Sequence, residues 1–425
     1  MSKNVANWLK DALKFGRNGR SQKLFDKFDF SPPLSTQLLI LQPTPFCNLD
    51  CDYCYLPDRD SRARMSLDTI RQIAQRLLED GLLGHALTVI WHAGEPLVMP
   101  RSYYEAAFSI IAETIGRACQ VSHSIQTNAT LIDDEWCTLF KKFQVRIGLS
   151  VDGPQHLNDQ HRKTRQGKGS YQLVMKGMET LRRNQVPFHV ISVITADSLP
   201  LADELHDFFT SQGIQEVGFN FDEAEGPHAT SSLQGQESAH YRFYQRMLEH
   251  VIAANGGYQI RELRNAFRLI AQGLPHYSWQ GQSLPGNAQT MPFAIITVAW
   301  NGDFSTFSPE LLGQTSSEFN DFVIGNVAQS GFLQAADSPI FLKLWNRIRE
   351  GTAACQKSCA YFNYCGCGAP ANKLYENGDF ASAETLYCRT MIQRPFEVVL
   401  QKLEQEAFEK ANSSISAAIL SSFTE

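Results

Sequence analysis

No stretch of the 425-residue sequence comes near the run of about 18 apolar residues that a membrane-spanning helix requires. The first residues, MSKNVANWLKDALKFG, have neither a continuous apolar segment nor a small-residue cleavage site, which excludes a secretory signal. Their apolar residues, Trp8, Leu9, Leu13 and Phe15, suit a short amphipathic helix within a segment spanning 1–35. Basic residues are also in deficit. The 38 Lys and Arg are outnumbered by 44 Asp and Glu, giving a net charge of −6. A nucleic-acid binder needs a basic surplus to neutralise phosphates, so nucleic acid is not expected as the partner. Internal repeats and long low-complexity tracts are missing as well. What remains, 43% hydrophobic and 19% charged residues, describes a globular protein with a real core and length for two domains. The expected compartment is the cytoplasm, where disulfides are rare.

Against that expectation, ten cysteines are many, and they are unevenly placed. Three fall at 47–54 and five at 355–388. Cys119 and Cys137 stand apart among apolar neighbours and read as buried core thiols. Clustered thiols in a reducing compartment point to metal rather than to disulfides.

Six apolar, β-branched runs follow one another: 38–46, 87–94, 121–128, 145–153, 188–195 and 216–223. Segments of helical period separate them. Alternating β and α elements imply an α/β fold with a parallel sheet, here a partial barrel of six β/α units over 36–230. Polar motifs follow the strands: the cysteines after the first, HAGEP after the second, QTNAT, SVDGP and FDEAEG after the third, fourth and sixth. All lie at C-terminal strand ends, where parallel α/β folds gather their ligands. Residues 231–290 read as a connector with some helix. A second region, 291–425, ends in the helical pattern PFEVVLQKLEQEAFEKA.

The first cluster, CNLDCDYC, has spacing C-x3-C-x2-C and no fourth Cys or His nearby. A structural zinc site takes four closed ligands. Three thiolates on a four-iron cubane leave one iron open to a small molecule; zinc completed by a distant residue is the alternative. Cys47, Cys51 and Cys54, with Tyr53 before the last, resemble the signature of the radical S-adenosylmethionine (radical SAM) superfamily. That resemblance implies a [4Fe-4S] cluster whose open iron chelates S-adenosyl-L-methionine. Reductive cleavage then yields a 5′-deoxyadenosyl radical that takes a hydrogen atom from substrate. Ala93, Gly94, Glu95 and Pro96 are similar to the family's GGEP motif, with Ala in its first position. Asn128, Ser150, Asp152 and Arg162 match positions that contact the cofactor in related enzymes. Bland readings stay open: Gly94 and Pro96 as turn residues, Ser150 and Asp152 as caps, Arg162 as a surface charge.

The second cluster, CQKSCAYFNYCGCGAP with a later ETLYC, holds Cys355, Cys359, Cys365, Cys367 and Cys388. Cys355, Cys359, Cys365 and Cys388 would make a closed set of four thiolates for an iron–sulfur cluster or a zinc ion. The segment resembles the SPASM extension of radical SAM peptide maturases. The full extension carries two auxiliary clusters, with upstream cysteines in a stretch equivalent to NGDFSTFSPELLG. Ser308, Pro309 and Glu310 stand there instead, so one auxiliary [4Fe-4S] cluster is expected. Cys367 is left as a spare ligand or a plain buried thiol.

FSPEL, CGCGAPANKLYENGDF, ETLYC and FNFDEAEG look most like maturases that build cyclophanes in ribosomal peptides (RiPP maturation). The implied reaction joins an aromatic ring carbon to a β-carbon of the same precursor peptide. Rearomatisation needs a proton acceptor. Glu310 is the first candidate, because an acid occupies the corresponding place in sulfatase-maturing relatives; Asp222, Glu223 and Glu225 come second. Each could equally be a solvated carboxylate. The resemblance further implies a leader-bearing precursor peptide and a low-potential electron donor of flavodoxin or ferredoxin type. The stretch before the first strand is too short for a winged leader-binding domain, so the remaining regions are expected to bind the leader. A sulfatase-maturing formylglycine-forming enzyme and a thioether-forming maturase are the alternatives.

Overall fold

The computed structural model describes residues 29–422, with side chains to 408. The expected N-terminal helix through Trp8, Leu9, Leu13 and Phe15 lies outside the described residues. After a two-residue strand, β1 (Phe30–Ser31), the six expected strands appear in order. They are β2 (Thr36–Leu41), β3 (Leu83–Trp91), β4 (Gln120–Thr127), β5 (Arg146–Ser150), β6 (Phe188–Ile194) and β7 (Glu216–Phe221). Each pairs in parallel with the next. The first run was expected to reach residue 46. It stops at Leu41 because Pro43 and Pro45 offer no N–H to a ladder.

Helices cover the outside of the sheet: α1 (Leu67–Glu79), α2 (Arg101–Ile115), α3 (Asp134–Lys142), α4 (Gln155–His161), α5 (Tyr171–Arg183) and α6 (Ala202–Ser211). Their buried residues recur at helical spacing. In α1 they are Ile70, Ile73, Ala74 and Leu77; in α2, Tyr104, Ala107, Phe108, Ile111 and Ile115. Each such large side chain contributes about 1.5–3 kcal/mol by leaving water. Ser66 starts α1 by accepting the Thr69 N–H at 3.0 Å.

The sheet does not end with the sixth strand. Past β7 come α7 (Glu237–Ala253), β8 (Gln259–Ile260) and α8 (Arg261–Gln272), so 231–290 is more ordered than a connector. A hairpin, β9 (His276–Trp279) and β10 (Gln282–Pro285), turns through Gln280 and Gly281, both at positive φ, and takes β1 into a small three-stranded sheet. Then β11 (Ile295–Val298) pairs in parallel with β2, Ile295 opposite Leu38. With antiparallel β12 (Asp303–Thr306) and β13 (Gly325–Asn326) the sheet has ten strands. The C-terminal region therefore begins inside the same sheet. Beyond it lie α9 (Pro339–Ser358), α10 (Pro370–Asn377) and α11 (Arg394–Ser422). Cys119 and Cys137 are buried in the core, as expected. No described helix is long and apolar enough to cross a membrane.

Candidate active site

The loop after β2 carries Cys47, Cys51 and Cys54, and backbone bonds hold it at both ends. Cys47 N–H donates to Arg59 O at 3.1 Å and Asp50 N–H to Lys163 O at 2.7 Å. Two arginines clamp the cysteine carbonyls: Arg59 Nη1 to Cys51 O at 3.1 Å and Arg165 Nε to Cys47 O at 2.9 Å. Neither arginine was anticipated, because a guanidinium on a carbonyl leaves no spacing signal. Burial, with the Glu95 charge second, pushes the Cys47 thiol up to about 12; burial lifts Cys51 to about 11. Thiols so reluctant to ionise alone suit a cationic partner.

The next loop locks onto this one. Gly94 lies at φ +58°, and a Cβ there would sit 2.5 Å from both Thr44 O and Phe46 O and 2.8 Å from Pro45 O. Only glycine allows so close an approach just ahead of Cys47. Ala93 adopts φ +69° as well. Glu95 is held by the protein itself. Its Oε1 accepts Leu97 N–H at 2.9 Å and Thr127 Oγ1 at 2.7 Å; Oε2 accepts Asn128 N–H at 2.8 Å. Both oxygens are thus engaged by protein, and the side chain braces the ends of β3 and β4. Burial raises this carboxyl to about 7 even so. Asn128 Nδ2 reaches Asn48 Oδ1 at 2.8 Å and Cys47 Sγ at 3.9 Å.

Asp152 also differs from expectation. It is 3% exposed and does not line the cavity at the cysteines. Its carboxylate accepts Tyr53 Oη at 2.6 Å, Arg162 Nη2 at 3.0 Å and Val193 N–H at 2.9 Å. The arginine lies 5.4 Å from the Tyr53 ring centroid. Burial is the largest influence and works against the Arg162 charge, but Asp152, Tyr53 and Cys51 together outweigh it and the net direction is up. Arg162 Nε is buried without a partner. Arg162 is therefore no surface charge: it lines the cavity, with Asp152 behind it.

That cavity, about 250 Å³, is walled by all three cysteines, Tyr53, Gly94, Glu95, Asn128, Ser150 and Arg162, and also by Asp222, Glu223 and Glu225. Ala93 lies outside its wall. Ser150 Oγ accepts Gln126 Nε2 at 2.9 Å. Asp222 accepts Ser232 N–H at 2.7 Å and so caps the next turn. Glu223 reaches Asn372 Nδ2 at 2.5 Å and also lines an adjoining cavity of about 360 Å³, which Glu310 enters. Burial first, then mutual repulsion, raises Glu223 and Glu225; burial raises Glu310. Oε1 of Glu225 is buried with no partner. These three carboxyls are consequently not solvated surface groups.

All five C-terminal cysteines, including Cys367, line one further cavity of about 390 Å³. Cys355 and Cys359 close α9, Cys359 N–H donating to Cys355 O at 2.8 Å. Gly368 N–H reaches Cys365 Sγ at 3.0 Å, and Thr385 Oγ1 reaches Cys388 Sγ at 3.2 Å. A Cβ on Gly368 would lie 3.2 Å from Cys388 Sγ and 4.0 Å from Cys365 Sγ, so both sulfurs face that glycine. Among the described residues no three His, Cys, Asp or Glu side chains are gathered as a site for a single metal ion.

The family model of the radical SAM superfamily matches residues 41–199. An uncharacterized protein of Synechocystis sp. is 39% identical over 387 residues, covering 89% of this chain and 94% of that protein. The serine-type anaerobic sulfatase-maturating enzyme of Klebsiella aerogenes is 31% identical over 189 residues, 44% of this chain and 47% of that enzyme. The match thus spans about half the length of that relative. Among solved structures, native anSMEcpe with bound AdoMet and Cp18Cys peptide has TM-score 0.69 at 18% identity, covering 88% of this chain and 99% of that one. Streptococcus suis SuiB bound to precursor peptide SuiA has TM-score 0.59 at 16% identity, covering 84% and 76%. At such identities the likeness is one of fold.

Proposed function

The chain belongs to the radical SAM superfamily, and from that premise we propose that it is a peptide maturase forming an aromatic-to-Cβ carbon–carbon crosslink in a ribosomally made precursor. One observation carries the reading. The motifs that resemble cyclophane-forming maturases, scattered along the sequence, are bonded to one another beside the cysteine cavity. Ser308 of FSPEL accepts Ala371 N–H at 3.1 Å. The neighbouring Asn372 reaches Glu223 of FNFDEAEG. On the same helix Glu376 accepts the Tyr387 N–H of ETLYC at 3.1 Å.

A four-iron cluster and S-adenosylmethionine, when bound, supply the 5′-deoxyadenosyl radical that removes a hydrogen atom from the peptide. The donor set fits them. Cys47, Cys51 and Cys54 would hold three irons and leave the fourth open. Arg162, held by Asp152 and lying 5.4 Å from the Tyr53 ring centroid, lines the cavity and would supply positive charge for the cofactor carboxylate. Asn128 reaches Cys47, Ser150 lines the cavity where the cofactor would sit, and the Ala93–Gly94–Glu95 turn would offer it backbone rather than carboxylate. Closing the crosslink breaks two C–H bonds and forms one C–C bond. One hydrogen leaves as the atom abstracted, the other as a proton plus an electron. Glu310 receives the proton: burial raises its proton affinity toward neutrality, where an acceptor works best. Glu223 and Glu225 share the acid wall, and Asp222, held as a cap, is the weakest candidate. Cys355, Cys359, Cys365 and Cys388 would hold one auxiliary [4Fe-4S] cluster, which would supply an acceptor for the electron. A flavodoxin- or ferredoxin-type donor starts each turnover.

The test incubates the reconstituted enzyme with SAM, dithionite and short peptides encoded beside its gene. A crosslink gives a product lighter by two hydrogens, with backbone fragmentation suppressed between the joined residues. A product that instead reacts with a hydrazide contains formylglycine and would shift the reading to sulfatase maturation.

A further inference from the structure

Lysine is almost never fully buried without a partner of opposite charge. Lys373, on α10, is 1% exposed, and among the described ion pairs none joins it to a carboxylate. Its ammonium has three donors. One goes to Gly351 O at 3.0 Å, one to Cys355 Sγ at 3.2 Å and one to Cys367 Sγ at 2.9 Å. The arrangement is built from both sides. Gly351 is the residue of α9 that lets the ammonium in, since a Cβ there would lie 3.1 Å from Nζ and 2.1 Å from Phe380 O. Cys367 is held at φ +104°, a backbone conformation that an L residue adopts only under constraint.

We propose that Lys373 is a positioning residue that sets the reduction potential of the auxiliary cluster through its contact with Cys355, with Cys367 as its second sulfur contact rather than as a ligand. The inference rests on the auxiliary-cluster reading above. Potentials of iron–sulfur clusters follow net charge, hydrogen bonds to sulfur and solvent exposure. Lys373 supplies the first two at Cys355 and, being buried, is not screened by water. Reduction adds one electron to the cluster, the one released at rearomatisation, with no bond formed or broken at the cluster. A fixed cation against a ligand sulfur favours the added electron.

The experiment uses the full chain as C47A/C51A/C54A, so that only the auxiliary cluster remains. Iron and sulfide are counted, and the midpoint potential is read by EPR-monitored titration. K373M should move the midpoint to more negative values, K373R should leave it near the parent, and C367S should keep the parental iron content. An unchanged midpoint in K373M at parental iron content overturns the proposal. Loss of iron in C367S makes Cys367 a ligand and overturns it too. If K373M takes up no iron, K373Q, which keeps a donor and loses the charge, decides, and a parental midpoint there refutes the proposal. A triple variant that binds no iron at all rejects the auxiliary-cluster reading itself, a different failure.

Discussion

Asp152→Asn tests the buried network beneath the first cysteine loop. Asparagine keeps the shape and one acceptor oxygen, so the bonds from Arg162 and Val193 N–H, now 3.0 and 2.9 Å, can persist. The Tyr53 hydroxyl can rotate to accept from the new amide. What disappears is the charge. Arg162, 6% exposed, would then be buried without a carboxylate beside it. Removing one partner of a buried pair costs about 3–5 kcal/mol, and preserved hydrogen bonds put this substitution at the lower end, about 3 kcal/mol. Equilibrium urea unfolding of the metal-free, reduced protein reads it. R162M completes a double-mutant cycle: the double variant should recover about 2 kcal/mol relative to the sum of the singles, because no unpaired charge remains. A D152N protein within about 1 kcal/mol of the parent, or an additive cycle, would refute the account of this network.

Three further outcomes are expected. Gly94→Ala forces a Cβ against three carbonyls of the chain leading into Cys47 and adds left-handed strain of about 1–2 kcal/mol; iron per chain should fall by the share of the first cluster, and full iron would contradict the packing. Glu95 titrates near 7 in the fold against 4.5 unfolded, so its stabilising contribution is complete below about 4.5 and lost as pH rises to about 7. That amounts to roughly 3 kcal/mol; thermal midpoints of the metal-free protein should drop across this window, and E95Q should flatten the drop. Glu310→Gln should leave 5′-deoxyadenosine formation in place while crosslinked peptide falls about 10²–10⁴-fold, which product analysis separates from a loss of cofactor binding.

The six parallel strands were legible because β-branched runs and helical periods alternate locally. β11 was not: IITV is four residues long, and its pairing with β2 spans some 250 residues of sequence, which no local pattern carries. α8 did carry a local signal: in RELRNAFRLIAQ, Leu263, Ala266, Phe267 and Ile270 recur at helical spacing and pack on the core. In the site, cysteine spacing announced itself. The work of Glu95 and Asp152 did not, because their partners are largely backbone N–H groups and residues distant in sequence. Lys373 in NKLYE has the pattern of a surface charge; only the fold turns it toward two sulfurs.

The central claim is that the three-thiolate loop cleaves S-adenosylmethionine by reduction. The direct measurement is anaerobic. The protein is reconstituted with iron and sulfide and given SAM, dithionite and candidate peptides, and 5′-deoxyadenosine is followed by mass spectrometry beside a C51A control. The account predicts product from the parent and none from C51A. Equal product from both, or none from a parent with intact clusters across all peptides, would contradict it.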